Sequence, residues 1–244
     1  MNIDEAPPLM IGNEYVDRIG YGCEEESFKF VGMHLDEFIT WEIHINKLCK
    51  KIASANFALN SIKRYLPLRI RKLVYNSLIR CHLEYGILAY GGAKCKEMSQ
   101  LFKLQKKAVR TVATKSYKAH TDPIFGQLYF LKLPDLYKLN AAHFMYLHNK
   151  SRLPVSFDKL FNQLNLPNRT NCYKLEKTLY KCLECFPKPL FPKIWNNLEL
   201  DLKNKSSPGT FKASLIQKII LYYLSYECKT KECFACDNLR AHSA

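Results

Sequence analysis

The chain has 244 residues, of which 48% are hydrophobic, and it contains only 9 glycines and 11 prolines. This composition excludes a disordered or fibrous protein, and the length allows one large domain or two small ones with a buried core. Lysine and arginine number 37 against 22 aspartates and glutamates, a formal charge of +15 that favours polyanionic partners such as phosphate backbones or anionic lipid surfaces.

Neither a membrane span nor a secretory signal is predicted. The longest apolar run, residues 219–226, is too short to cross a bilayer, and the first 15 residues are acidic and lack an apolar core. We therefore expect an intracellular protein with no membrane partner, and the sequence does not separate nucleus from cytoplasm.

β-Structure is predicted only near the start of the chain. Residues 9–20 indicate a hairpin because Gly12 and Asn13 suit the positive-φ positions of a two-residue turn. Residues 28–35 indicate one further strand, since apolar side chains alternate there. From Asp36 onward no strand is expected.

Two helices are predicted next. Thr40 is expected to cap a long helix that Pro67 ends. Its apolar positions, spaced by three and four, are Trp41, Ile45, Leu48, Ile52, Ala55, Leu59 and Ile62. A separate face of this helix carries Lys47, Lys50 and Lys51. The second helix, after Pro67, is expected to bury Ile70, Leu73, Val74, Leu78 and Cys81, and a short helical turn is expected to end at Gly91-Gly92.

Residues 98–115 are the most informative segment because a helix drawn through them separates into an apolar and a basic stripe. The apolar positions are Met98, Leu101, Phe102, Val109 and Val112, and the basic positions are Lys103, Lys106, Lys107 and Arg110. Such a helix packs on a core while offering cations to a polyanion. A basic face that is merely solvated gives the same pattern, so this alternative stays open.

Further helices are predicted after Asp122-Pro123, after Pro134-Asp135 and after Ser207-Pro208, because each pair combines a capping residue with proline in the first helical turn. The last of these helices is expected to be amphipathic through Phe211 and Tyr223. Between them, residues 164–206 contain several prolines and indicate a loop-rich connector with a short helix around Trp195.

The sequence contains no motif for a catalytic centre: no phosphate-cradling glycine loop, nucleophile elbow or zinc-protease motif occurs. His120 and Asp122 are close in sequence, but helix capping accounts for the aspartate. Among the ten cysteines, the isolated ones are expected to act as small buried hydrophobes. The possible zinc ligands are Cys228, Cys233, Cys236 and His242. Zinc takes four thiolate or imidazole ligands in tetrahedral coordination, and the C-x2-C spacing of Cys233 and Cys236 lets two thiolates bind one ion.

Several ordered blocks between Phe28 and Asn196 resemble the C-terminal part of the reverse transcriptase of LINE-type (non-LTR, jockey-like) retrotransposons. The blocks are F-K-F-V-G-M-H-L-D at 28–36, T-W-x2-H-I at 40–45, L-V-Y-x-S-L-I at 73–79, L-x-Y-G-x3-Y-G at 83–91, L-Q-K-K-A-V-R at 104–110, H-T-D-P-I-F at 120–125 and P-K-I-W-N at 192–196. Tyr90 replaces a tryptophan usual in the family, and residues 168–171 follow its N-T-R block only loosely.

The resemblance implies a mainly α fold, in which a short β remnant of the polymerase palm precedes a helical thumb and a helical C-terminal region. The implied division is palm remnant 1–36, thumb-like domain 37–163, connector 164–206, C-terminal helix 207–227 and cysteine-rich tail 228–244. It also implies a primer-grip strand at Phe30, Val31 and Gly32, and a template–primer duplex as the partner.

One departure bears on activity. The family holds Mg²⁺ with aspartates that include a [FY]-x-Asp-Asp pair upstream of the primer-grip strand, and the 27 residues before Phe28 contain no such pair. We therefore expect a truncated fragment of an RNA-directed DNA polymerase that binds an RNA–DNA or RNA duplex, has no catalytic residue of its own, and requires a palm supplied elsewhere to polymerise. The alternatives are a small zinc-stabilised interaction module and a product without a selected function.

Overall fold

The computed structural model describes residues 9–12, 14–16, 27–93, 95–166, 169–175 and 186–225. Over these residues the fold is mainly α-helical, which confirms the predicted class, and the strands form three separate two-stranded hairpins. Within the same residues, no helix is both long and apolar enough to cross a membrane.

The first hairpin is the predicted one. Strands β1 (Leu9–Ile11) and β2 (Glu14–Val16) pair antiparallel, with Leu9 opposite Val16. Gly12 has a φ of 66° in the turn, a conformation that glycine adopts without steric cost.

The single strand predicted over residues 28–35 is wrong, because the segment folds back on itself. Strands β3 (Phe28–Phe30) and β4 (Met33–Leu35) pair antiparallel, with Phe28 opposite Leu35 and Phe30 opposite Met33. Val31 and Gly32 have φ values of 46° and 78°, the two consecutive positive values of a type I′ turn. A β-branched residue rarely adopts such a conformation, so local sequence patterns favoured a continuous strand.

A third hairpin contradicts the expectation that no strand follows Asp36. Strands β5 (Gln163–Leu166) and β6 (Arg169–Tyr173) pair antiparallel within the segment expected to be rich in loops. Asn196 attaches this hairpin to helix α8 (Pro187–Asn196). The Tyr173 N–H donates to Asn196 Oδ1 at 2.9 Å, and Asn196 Nδ2 donates to the Tyr173 carbonyl at 2.8 Å.

Helix α8 confirms the short helix predicted around Trp195, although prolines were expected to interrupt periodicity there. Pro187 opens the helix and Pro189 lies in its first turn, where backbone N–H groups have no intrahelical partner in any case. Pro192 lies inside the helix.

Apart from α9, which the sequence does not predict, the remaining helices follow the predicted order. They are α1 (Glu42–Ile62), α2 (Leu68–Tyr75), α3 (Cys81–Glu84), α4 (Ile87–Tyr90), α5 (Lys96–Val112), α6 (Asp122–Leu128), α7 (Leu133–Asn149), α9 (Leu200–Lys203) and α10 (Pro208–Leu224). One core joins them: α1 packs on α5, and α7 packs on α4, α8 and α10. The predicted cap of α10 is confirmed, since Ser207 and Thr210 form a reciprocal capping box.

Helix α1 begins and ends differently from the prediction. Its amino-terminal end is organised by Asp36, whose carboxylate accepts from the Thr40 N–H at 2.9 Å, the Thr40 hydroxyl at 2.7 Å and the Trp41 N–H at 3.1 Å. Burial opposes ionisation of Asp36, but these hydrogen bonds outweigh it and hold the pKa below its ordinary value. Trp41, not Thr40, occupies the N-cap position, and the helix ends at Ile62 rather than at Pro67.

The apolar stripe expected to be buried in the second helix lies largely in solvent. Leu73 is 56% exposed, and Ile70, Leu78 and Cys81 are exposed as well. The core instead receives Tyr75, Ile79 and Leu83, which are four residues apart. A π-helical turn over Asn76–Arg80 joins α2 to α3, and its wider i to i+5 bonding keeps residues spaced by four on one side.

The fully buried side chain of Gln105 joins three parts of the core. Its Nε2 donates to the Tyr75 hydroxyl at 3.1 Å and to the Leu131 carbonyl at 3.0 Å, and its Oε1 accepts from the Leu133 N–H at 2.8 Å. Every one of these partners is itself buried, so the side chain of Gln105 supplies hydrogen bonds that water does not reach.

We expect Gln105→Leu to lower the free energy of unfolding by about 2–4 kcal/mol, because it leaves a buried N–H and a buried carbonyl without a partner. Chemical denaturation measures the change. Gln100→Leu, at an exposed position of the same helix, is the control and should change stability by less than about 0.5 kcal/mol. Equal stability of the two variants would contradict a structural role for Gln105.

Candidate nucleic-acid interface

Helices α1 and α5 pack side by side and run in the same direction. Asn56 Nδ2 donates to the Leu104 carbonyl at 3.0 Å, and further along both helices Asn60 and Lys63 line one groove with Arg110. Residues later in α1 contact residues later in α5, as expected for two parallel helices. The carboxyl ends of the two helices therefore lie at the same end of the molecule.

The predicted basic surface of α5 is present on its outer side. We call its four residues, Lys103, Lys106, Lys107 and Arg110, the α5 stripe. They lie opposite the fully buried residues Leu101, Ala108 and Val112. Of the predicted apolar positions, Val109 is also buried, whereas Met98 and Phe102 are half-buried.

The four side chains of the α5 stripe differ in their surroundings. Lys103 and Lys107 are exposed, and Lys106 places its Nζ 4.3 Å from the centre of the Phe102 ring. Arg110 is half-buried, and its Nε donates to the Ala119 carbonyl at 2.8 Å. Burial lowers the pKa of Arg110 below its ordinary value. Within the described residues, no carboxylate forms an ion pair with the stripe.

A groove of about 340 Å³, here called the α1–α5 groove, lies at the carboxyl ends of the two helices. Its lining residues are Asn60, Lys63, Lys107, Arg110, Thr111, Lys115 and Tyr117. Sequence reasoning missed Lys63 and Lys115. The position of Lys63 beside the α5 stripe depends on the parallel packing of α1 and α5, which are distant in sequence.

The other predicted basic set, Lys47, Lys50 and Lys51, does not share a surface with the α5 stripe. Lys47 precedes Asn56 by nine residues, which is about two and a half helical turns, so it lies on the side of α1 that faces away from α5. It contacts the second hairpin instead, where its Nζ lies 3.0 Å from His34 Nδ1.

Of the predicted primer-grip residues, Phe30 ends β3, and Val31 and Gly32 form the turn of that hairpin. The Tyr85 hydroxyl donates to the Val31 carbonyl, and a side chain at Gly32 would come within 3.4 Å of the Tyr85 ring. The side chains of Phe30 and Val31 remain exposed. The hairpin therefore presents two apolar side chains to solvent while Tyr85 holds its backbone.

Two histidines join the hairpin to α1. The His34 N–H donates to His44 Nδ1 at 3.4 Å, and His44 is only 7% exposed. Burial and then the nearby cations, Lys47 foremost, lower the pKa of His34. Burial and then His34, Lys51 and Lys47 lower the pKa of His44.

Two further candidates from the sequence are the zinc ligands and Asp122. The proposed zinc ligands Cys228, Cys233, Cys236 and His242 lie outside the described residues. In the part of the chain that the structure describes, no three histidine, cysteine or acidic side chains are placed to share a metal ion. Asp122 forms an ion pair with Lys132 at 3.0 Å.

No protein-family model, curated protein or solved structure matches this chain.

We expect stability to fall as the pH drops below about 6.5, because the folded pKa values of His34 and His44 lie below the unfolded value of 6.5. The contribution is complete above pH 6.5 and is lost as the pH falls through the folded values, since the unfolded chain then binds more protons. Denaturation of a His34→Gln/His44→Gln variant should show a weaker pH dependence than the wild type.

The control is His82→Gln, at an exposed histidine, which should keep the wild-type dependence. A double variant whose stability changes with pH as steeply as that of the wild type would show that the two histidines do not couple the hairpin to protonation.

Proposed function

We propose that this chain is the C-terminal, nucleic-acid-holding part of a LINE-type reverse transcriptase, and that it binds a template–primer duplex through the α5 stripe. The observation that carries the proposal is the set of four cations on one helix face, none of them paired with a described carboxylate. Cations paired with neighbouring carboxylates would have part of their charge neutralised within the protein.

The dimensions of the stripe match a phosphate backbone. From Lys103 to Arg110 the helix rises about 10 Å, and a duplex presents about six phosphates over that length when both strands are counted. Long, flexible lysine side chains contact phosphates without reading bases. Binding by the stripe should therefore be independent of sequence, as a surface that holds a growing duplex requires.

The second hairpin supports the same proposal. Its exposed Phe30 and Val31 lie at the turn, and Lys47 of α1 contacts His34 in the same hairpin. Apolar side chains next to cations suit a strand end, where a sugar or base is accessible beside its phosphate. Because this region and the α5 stripe lie on different sides of α1, we assign them to different parts of the bound nucleic acid.

Duplex binding should weaken steeply with salt, and replacing Lys103, Lys106 and Lys107 with glutamine should flatten that dependence. Each phosphate contact contributes about −0.9 to the slope of log K against log salt, so the triple variant should lose about two to three units of slope. Fluorescence anisotropy with a labelled RNA–DNA hybrid at several salt concentrations gives both slopes.

The matched control removes three exposed lysines elsewhere, Lys150, Lys159 and Lys174. It has the same net charge as the triple variant, so any difference between them reports position rather than charge. The proposal fails if the triple variant and the control variant have equal slopes, or if the wild type does not bind the hybrid in dilute buffer.

The proposal assigns duplex binding, and not nucleotide transfer, to this chain. In a primer-extension assay with Mg²⁺ and a radiolabelled primer, the purified chain should give no templated product, because no [FY]-x-Asp-Asp pair precedes Phe28. Templated synthesis by the chain alone would contradict this assignment.

A further inference from the structure

We propose that the α1–α5 groove binds one unpaired nucleotide of a nucleic-acid strand, with its phosphate on the cations and its base on Tyr117. The inference rests on the proposed function only for the position of this nucleotide, next to a duplex held by the α5 stripe. Its chemical basis is the lining of the groove itself.

Four cationic side chains meet in the groove: Lys63 from the end of α1, Lys107 and Arg110 from α5, and Lys115 from the loop that follows. The carboxyl ends of two helices also lie here, and each carries about half a negative charge. Four full positive charges outweigh these partial charges, so the groove favours an anion.

The polar groups in the groove are mainly hydrogen-bond donors. Arg110 uses its Nε for the Ala119 carbonyl, which leaves the Nη groups for a ligand, and the Lys63 Nζ contacts Asn60 Oδ1 at 2.9 Å. An ammonium and a guanidinium can each donate several hydrogen bonds at once. Phosphate oxygens are the acceptors that such a set accommodates best.

Tyr117 adds an aromatic ring to the groove, which a site for phosphate alone would not require. It belongs to the groove lining and is nevertheless 79% exposed, with the Lys118 Nζ 5.9 Å from the ring centre. An accessible aromatic ring beside cations is the arrangement on which unpaired bases stack, and stacking tolerates any base. A groove of about 340 Å³ lies at the small end of ligand pockets, so it suits one nucleotide rather than a duplex.

The loop that carries Lys115 and Tyr117 is held in place before any ligand binds. Thr114 adopts a φ of 53°, and the Lys115 N–H donates to the Arg110 carbonyl at 3.0 Å, which closes α5 in a Schellman motif. The Arg110 bond to Ala119 fastens the other end of the loop. A preorganised loop lowers the entropic cost of ordering the site on binding.

The test compares a blunt RNA–DNA duplex with the same duplex extended by an unpaired overhang of about three nucleotides. By fluorescence anisotropy, the wild type should bind the extended duplex at least about fivefold more tightly, consistent with the stacking of one base. Tyr117→Leu should abolish this preference, and Tyr117→Phe should keep it. Tyr222→Leu, at an exposed tyrosine on α10, is the control and should leave the preference unchanged.

Lys115→Gln tests the contribution of the phosphate contact apart from that of base stacking. It should reduce the preference for the extended duplex while leaving affinity for the blunt duplex near that of the wild type. Equal binding of blunt and extended duplexes by the wild type would overturn the inference, as would a preference that survives Tyr117→Leu. An abasic overhang that binds as tightly as a complete one would also overturn it, because the site would then recognise phosphate alone. Displacement of the overhang by poly-glutamate as readily as by a short oligonucleotide would overturn it in favour of an acidic peptide.

Failure of the groove and failure of the stripe give different results. A Lys103→Gln/Lys106→Gln variant alters residues outside the groove, so it should weaken both duplexes equally and keep their ratio. If the wild type binds no blunt duplex, the proposed function fails. The inference is then judged on a short single strand, and equal binding of that strand by wild type and Tyr117→Leu overturns it.

Discussion

The buried amide of Gln105 is the interaction on which the orientation of α5 depends. It bonds at once to α2, to the segment before α7 and to the first residue of α7, so it fixes both the rotation and the axial position of α5 in the core. Because Gln105 points inward, Lys103 and Lys107 point outward. The surface charge of this helix is therefore set by a neutral side chain that solvent never contacts.

Parallel packing of α1 and α5 converts that orientation into a concave surface. Lys63 lies at the end of α1 and Lys115 lies in the loop after α5, and the two meet in one groove because the two helices end at the same level. An antiparallel pair would have brought the amino-terminal end of α1, with Asp36 beside it, to this place. The direction of packing thus decides whether the end of α5 carries a cationic groove or a mixed surface.

Local signals in the sequence predicted the helices other than α9 and their order, and the Ser207 cap was confirmed. They failed where the outcome depends on distant contacts or on unusual backbone. Val31 has a left-handed backbone conformation, so the segment predicted as one strand forms a hairpin. A π-helical turn follows Tyr75, so the apolar side chains predicted to be buried in the second helix are exposed. The basic face of α5 was recognised because it repeats within one helix, whereas the groove needed the partner helix as well.

Side-by-side helices that point the same way impose an order on biosynthesis. The bond between Asn56 and Leu104 spans 48 residues, so α1 emerges from the ribosome well before the helix that covers it. At ordinary translation speeds the delay is about 2–10 s, which is far longer than the time needed for helix formation or for hydrophobic collapse of the chain. During that interval Ile45, Ile52 and Leu59 stay uncovered by α5, and apolar surface exposed in this way makes a nascent chain prone to aggregate.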